Sequence, residues 1–208
     1  MICILIKNDF IFLYLFIKIN INMLSCENET IKNKGFGAGG SNTNKNGLPY
    51  ELITDLHTEY KILNKNKNSI EIKFNKSDKK KYVKSDKSKF FKYMKKNINN
   101  EIPKAHGCKQ PDECYIDEID KVIFILEKKF QKVGGSVCEK IQTPDFKKWQ
   151  YSRTFLEYEI VYIYCLSDWF KENCKAELEY LEHKKVPYFW GSDTKYKEDI
   201  INFIINYK

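Results

Sequence analysis

Arginine is almost missing from this chain. Arg153 is the only one in 208 residues, although lysine is abundant and the formal net charge is +8. Bidentate guanine readout by arginine can therefore occur at one position per chain at most, and any reading of bases must lean on Lys, Asn, Gln, Ser and main-chain groups. Histidine is also scarce: His57, His106 and His183 are scattered, which argues against a histidine-built metal centre. The seven cysteines (Cys3, Cys26, Cys108, Cys114, Cys138, Cys165 and Cys174) include no Cys-x-x-Cys and no zinc-ligand spacing. An odd, scattered set predicts reduced thiols in a cytoplasmic or nuclear compartment, with Cys114 and Cys165 as core fillers.

Long apolar runs are absent too. The segment Ile11 to Ile17, between Lys7 and Lys18, is far shorter than the about 20 residues a spanning helix needs, and no clear small-residue cleavage site follows it. No membrane partner is expected, and residues before Met23 read as an upstream extension rather than an anchor. Gly35-Phe36-Gly37-Ala38-Gly39-Gly40 spells G-x-G-x-x-G, but no hydrophobic strand closely precedes it, which excludes a dinucleotide fingerprint. A glycine- and asparagine-rich loop can instead bring main-chain N–H groups to phosphates.

Hydrophobic residues make up 42% of the chain and aromatics 15%, enough for a packed globule. The expected division is an N-terminal extension over 1–34 and a single domain over 35–208. Within it, 61–100 carries fourteen lysines against Glu71, Asp78 and Asp86, so the rest of the chain is net negative. Such a stretch is either the footprint of a phosphate backbone or a solvated face in a chain rich in Lys, Asn and Ile throughout.

Apolar spacing at Leu48, Leu52, Leu56, Tyr60 and Leu63 predicts a first helix behind Pro49. Ile70 to Phe74 alternates like a strand, and Lys89 to Lys96 reads as a helix whose Phe90, Phe91 and Tyr93 fill the core or stack on bases. A helix over Val137 to Gln150 despite Pro144, a strand over Glu159 to Leu166, a helix over Lys171 to Lys185, a short strand at Pro187 to Trp190 and a helix over Asp199 to Tyr207 follow. Strands separated by helices predict an α/β fold with a mixed β-sheet flanked by helices.

The chemistry concentrates at Pro111-Asp112 and, after fourteen intervening residues, Glu127-Lys128-Lys129, closing the apolar run Ile123 to Leu126. Alternate strand residues share a face, so Ile123, Ile125, Glu127 and Lys129 point one way and Val122, Phe124 and Leu126 the other. A hairpin turning between Ile119 and Asp120 sets Asp112 opposite Glu127, with Cβ atoms roughly 5 Å apart. Two carboxylates at that spacing can share a divalent cation, preferably Mg²⁺ with Mn²⁺ as substitute. A lysine beside them can assist an attacking water and counter charge at a phosphate. Gln131 shares the face and can position water or phosphate, or simply end the strand. The same letters also arise by chance as a surface ion cluster in a lysine-rich chain.

The wider text resembles the PD-(D/E)xK nuclease superfamily, in particular type II restriction endonucleases of bacteria and large DNA viruses. The likeness lies in Gly37 to Asn44, Asn46 to Glu51, His106 to Glu113, Glu127 to Gln131, Gly135 to Thr143 and Leu166 to Phe170. It implies a restriction-endonuclease-like core, Asp112 and Glu127 as metal ligands, Lys129 as catalytic lysine, and Glu51 on the first helix as a further acidic group near the metal. It also implies double-stranded DNA as substrate, a homodimer on a palindromic site and a cognate DNA methyltransferase. Two rivals stay open: the same core used without sequence specificity in repair, recombination or RNA processing, and a catalytically silent nucleic-acid-binding protein.

Overall fold

The computed structural model describes residues 49–77, 80–97, 109–134 and 137–208, all within the unit Ser41–Lys208. The apolar N-terminal segment, the Gly35 to Gly40 loop and His106 to Cys108 lie outside these residues. Seven strands form one sheet in chain order: β1 (Tyr60–Lys65), β2 (Ile70–Phe74), β3 (Tyr82–Lys84), β4 (Glu113–Asp117), β5 (Val122–Lys129), β6 (Glu159–Leu166) and β7 (Tyr188–Trp190). β1 to β5 run as an antiparallel meander, whereas β6 pairs parallel with β5 and β7 parallel with β6. The helices are α1 (Lys87–Asn97), α2 (Val137–Ile141), α3 (Pro144–Thr154), α4 (Trp169–Asn173), α5 (Lys175–His183) and α6 (Tyr196–Asn206), with a short helical stretch over 49–53.

The sheet is mixed and covered on both faces. Ile123 and Ile125 of β5 join Phe90 and Met94 of α1, Ile141 of α2, Tyr151 of α3, Phe170 of α4 and Leu181 of α5. Val122, Phe124 and Leu126 meet Tyr50 and, from α6, Tyr196, Ile200, Ile201 and Ile204 on the other side. This two-sided burial explains why β5 and β6 read as continuous apolar runs rather than alternating ones. Each large side chain removed from water here contributes about 1.5–3 kcal/mol. On the second face Gly191 is obligatory, because a Cβ there would lie 2.2 Å from the Tyr50 hydroxyl.

Several helices end earlier than their apolar spacing predicts. The first stops after 53, leaving Leu52 and Ile53 exposed, and Tyr60, Ile62 and Leu63 belong to β1, whose ladder with β2 outweighs the helical spacing. The single helix expected over Val137 to Gln150 is two, because Pro144 cannot donate an N–H and restarts the chain at the first turn of α3. The helix expected over Lys171 to Lys185 breaks at Cys174, whose backbone leaves the helical region. β2 and β6 match their predicted ranges, and Phe90 is wholly buried rather than available for bases.

The expectation of seven reduced thiols is also overturned. Cys138 and Cys174 form a disulfide between α2 and the α4–α5 junction, 36 residues apart in sequence and 5.9 Å apart at Cα. Sequence spacing does not show that proximity, and the compartment inferred from free thiols loses its support. Cys114 and Cys165 are buried and free, as expected of core fillers. No helix among the described residues is long and apolar enough to cross a membrane.

Candidate active site

The β4–β5 hairpin fixes the two central carboxylates. Glu113 pairs with Leu126 and Asp117 with Val122, the register that a turn between Ile119 and Asp120 requires. Asp117 Oδ1 holds that turn by accepting the Ile119 and Asp120 main-chain N–H groups at 3.0 Å, and Lys121 takes a left-handed backbone, φ 55°. Extending the register one step sets Asp112, just ahead of β4, opposite Glu127. Asp112 Oδ2 accepts the Lys128 main-chain N–H at 2.9 Å, which locks the carboxylate against the end of β5.

Glu127 is buried between cations. Its Oε1 accepts the Lys129 ammonium in a short hydrogen bond and lies 3.5 Å from Lys147 Nζ. Burial raises the Glu127 carboxyl, but Lys129 and Lys147 outweigh it and hold the group below its usual range, with help from the Tyr162 hydroxyl. Asp112 goes the other way: burial and then the charge of Glu127 push it above the usual carboxylate range. Lys147 is drawn below its ordinary value, mainly by burial, and stacks near the Tyr162 and Tyr164 rings at 5.4 and 5.8 Å.

The cavity at this point is lined by four lysines, Lys109, Lys129, Lys140 and Lys147, against Glu127 and Glu139. Lys147 was invisible as a site residue in sequence. A usable signal lay in Lys147 and Tyr151, one turn apart on one helix face, but only the packing of α3 over β5 and β6 gives that face its neighbour.

Glu51 and Gln131 stand differently. Glu51 lines a separate cavity shared with Asp112, Asp55, Asp86, Lys87 and Lys128. Its carboxylate pairs with Lys87 at 3.1 Å, and its main-chain carbonyl accepts Lys128 Nζ at 3.0 Å. Asp112 therefore lines the Glu51 cavity, whereas Glu127 and Lys129 line the lysine-rich one. Gln131 is tied elsewhere: its amide donates to the Val133 carbonyl at 2.6 Å and its main-chain N–H to Ser167 Oγ at 3.1 Å.

A second buried ionic group sits on the opposite face of the hairpin. Lys128 Nζ is 2.7 Å from Glu113 Oε2, with both side chains almost wholly buried. Lys84 Nζ lies 2.9 Å from Asp86, 3.6 Å from Asp55 and 3.7 Å from Glu113. Burial opposes the Lys84 charge, but Glu113, Asp86 and Asp55 raise its pKa well above normal. The basic stretch over 61–100 is partly consumed in this way: besides Lys84, Lys76 pairs with Glu198, Lys80 with Asp117 and Asp120, Lys81 with Glu71 and Lys87 with Glu51. Exposed lysines remain on α1, at Lys89, Lys92, Lys95 and Lys96.

The donor set suits a hard divalent cation. Asp112 and Glu127 offer oxygen ligands; burial first and the Glu127 charge second raise the Asp112 carboxyl, and only the second of these is something a shared cation would offset. No protein-family model, no curated protein and no solved structure matches this chain.

Proposed function

We propose that the protein is a metal-dependent nuclease of the PD-(D/E)xK type that hydrolyses phosphodiester bonds in DNA. One arrangement carries the reading: the β4–β5 register, extended one step, brings Asp112 opposite Glu127 at the end of a buried central strand, and Lys129 is bonded to Glu127 inside a lysine-lined cavity. The surrounding order of hairpin, crossover helices and parallel strand is what a restriction-endonuclease-like core requires.

In this mechanism Asp112 and Glu127 would hold Mg²⁺ or Mn²⁺, which would supply Lewis acidity toward the phosphodiester. Lys129 sits at Glu127, where its ammonium can orient the attacking water and counter charge at the phosphate. Lys147 keeps Glu127 ionised and, with Lys109 and Lys140, offsets phosphate charge during substrate binding. Glu51 acts through Asp112 as a distal acidic group, and Gln131 can position water or phosphate only by giving up its bond to Val133.

Site-specific cleavage of the restriction type, a C₂ dimer and a cognate methyltransferase are the finer form of this proposal. Incubation with unmodified duplex DNA in Mg²⁺, beside EDTA and Lys129→Ala controls, tests it. Discrete fragments that vanish in both controls support the restriction reading, and a smear that vanishes in both supports a non-specific nuclease. Salt-sensitive DNA binding without turnover in either metal leaves a silent binding protein.

A further inference from the structure

The helix that delivers Lys147 to the cavity carries an exposed aromatic stripe on its outside. At 3.6 residues per turn, Phe146, Trp149 and Arg153 of α3 fall on one side, away from Lys147 and Tyr151. Phe146 is 57% exposed and Trp149 51%, an unusual position for two large aromatics when the neighbouring sheet face buries others completely. They are mutually organised: the rings stack with centroids 5.7 Å apart and planes 29° apart, and the Arg153 guanidinium lies 4.8 Å over the Trp149 ring. The chain's only arginine therefore caps an aromatic ladder.

One end of the ladder neighbours cavity residues in sequence. Its Phe146 end lies in the first turn of α3, beside Thr143 and Lys147, which line the lysine-rich pocket. A helix with its side chains is about 10–12 Å across, the length of about three nucleotides at 3.4 Å each. A nucleic-acid strand crossing the pocket thus reaches Phe146 within a few nucleotides of Glu127. Charge favours nucleic acid over a protein partner, because four pocket lysines and Arg153 match a phosphate backbone. An aromatic ring can stack on a base only where that base has left the duplex stack.

Resting on the nuclease reading above, we propose that Phe146, Trp149 and Arg153 form a stacking platform for an unpaired base flanking the scissile phosphate. The preferred substrate is then DNA in which paired and unpaired segments meet, such as an overhang, a branch or a bubble.

The test measures affinity in EDTA for a blunt duplex, the same duplex with a single-stranded extension, and the same duplex with a bubble. The wild type should bind the unpaired forms roughly 5- to 150-fold more tightly, the range of one base on one aromatic face. Phe146→Ala and Trp149→Ala should erase that preference while leaving blunt-duplex affinity and the melting curve unchanged, and Trp149→Phe should keep it. Equal affinity for all three DNAs, or a preference that survives both alanine variants, overturns the platform. A change in sedimentation without a change in DNA preference also overturns it and makes the stripe a protein interface. Parallel cleavage in Mg²⁺ and Mn²⁺ separates the two claims. Cleavage without the preference removes the platform and keeps the nuclease, whereas the preference without cleavage keeps the platform and removes the nuclease.

Discussion

Replacing Lys128 with methionine should destabilise the protein severely, although Lys128 is the middle residue of Glu-Lys-Lys and faces away from Glu127. Its ammonium is 2.7 Å from Glu113, with side-chain exposures of 3% and 1%, and also donates to the Glu51 carbonyl at 3.0 Å. Removing one partner of a buried pair costs about 3–5 kcal/mol, because the other charge is left without compensation. Lys84, 3.7 Å from Glu113, remains as a weaker partner, so the lower end, about 3 kcal/mol, applies. Against a total stability of about 5–15 kcal/mol that is a large fraction. At about 2–4 °C per kcal/mol for a domain of this size, Tm should fall by roughly 6–12 °C. Urea and thermal melts followed by circular dichroism measure it. The double variant Glu113→Leu/Lys128→Met should recover most of the loss, since apolar pairs of similar volume often replace buried ion pairs without cost. A single variant within about 1 kcal/mol of wild type, or a double variant showing no coupling between the two sites, would refute this account.

Asp112→Asn should keep the hydrogen bond from the Lys128 N–H and relieve repulsion with Glu127, so it should match or exceed wild-type stability near neutral pH while losing the proposed metal-supported cleavage. The sign follows from the raised Asp112 pKa: its native-state contribution is complete below the unfolded value near 3.8 and is lost as pH rises through the higher folded value. Wild type should therefore fall behind the variant in melts as pH rises from acid, and the opposite trend would contradict the assignment. Under the proposed nuclease reading, Lys147→Met should lower the cleavage rate by about 100-fold, on the order of one lost charge-stabilising group, and raise the Glu127 pKa; rates and carboxyl NMR titration check both. Reduction of Cys138–Cys174 should cost about 4 kcal/mol by loop closure over 36 residues, seen as a lower Tm in dithiothreitol. An unchanged Tm would mean that the two thiols contribute only packing.

The local arithmetic of the chain was enough for the hairpin. Asp112 faces Glu127 because strand pairing has a constant register and Lys121 and Asp117 supply the turn, all within about fifteen residues. The apolar runs of β5 and β6 revealed central strands for the same reason, since a strand buried on both faces must be apolar on both. Sequence also separated Lys129 from Lys128, because the period of two is intrinsic to an extended backbone.

What the chain assembles from distant segments was not legible. The spacing of Leu48 to Leu63 spelled a helix, yet pairing with β2 claims Tyr60–Lys65 as β1. The basic stretch over 61–100 read as either a phosphate footprint or a solvated face, yet Lys84 folds inward to neutralise Glu113, Asp86 and Asp55. Lys147 reaches Glu127, and Cys138 reaches Cys174, only because the crossover helices pack over the sheet. Register within a hairpin is set by local backbone geometry, whereas these contacts depend on which faces the tertiary structure buries against one another.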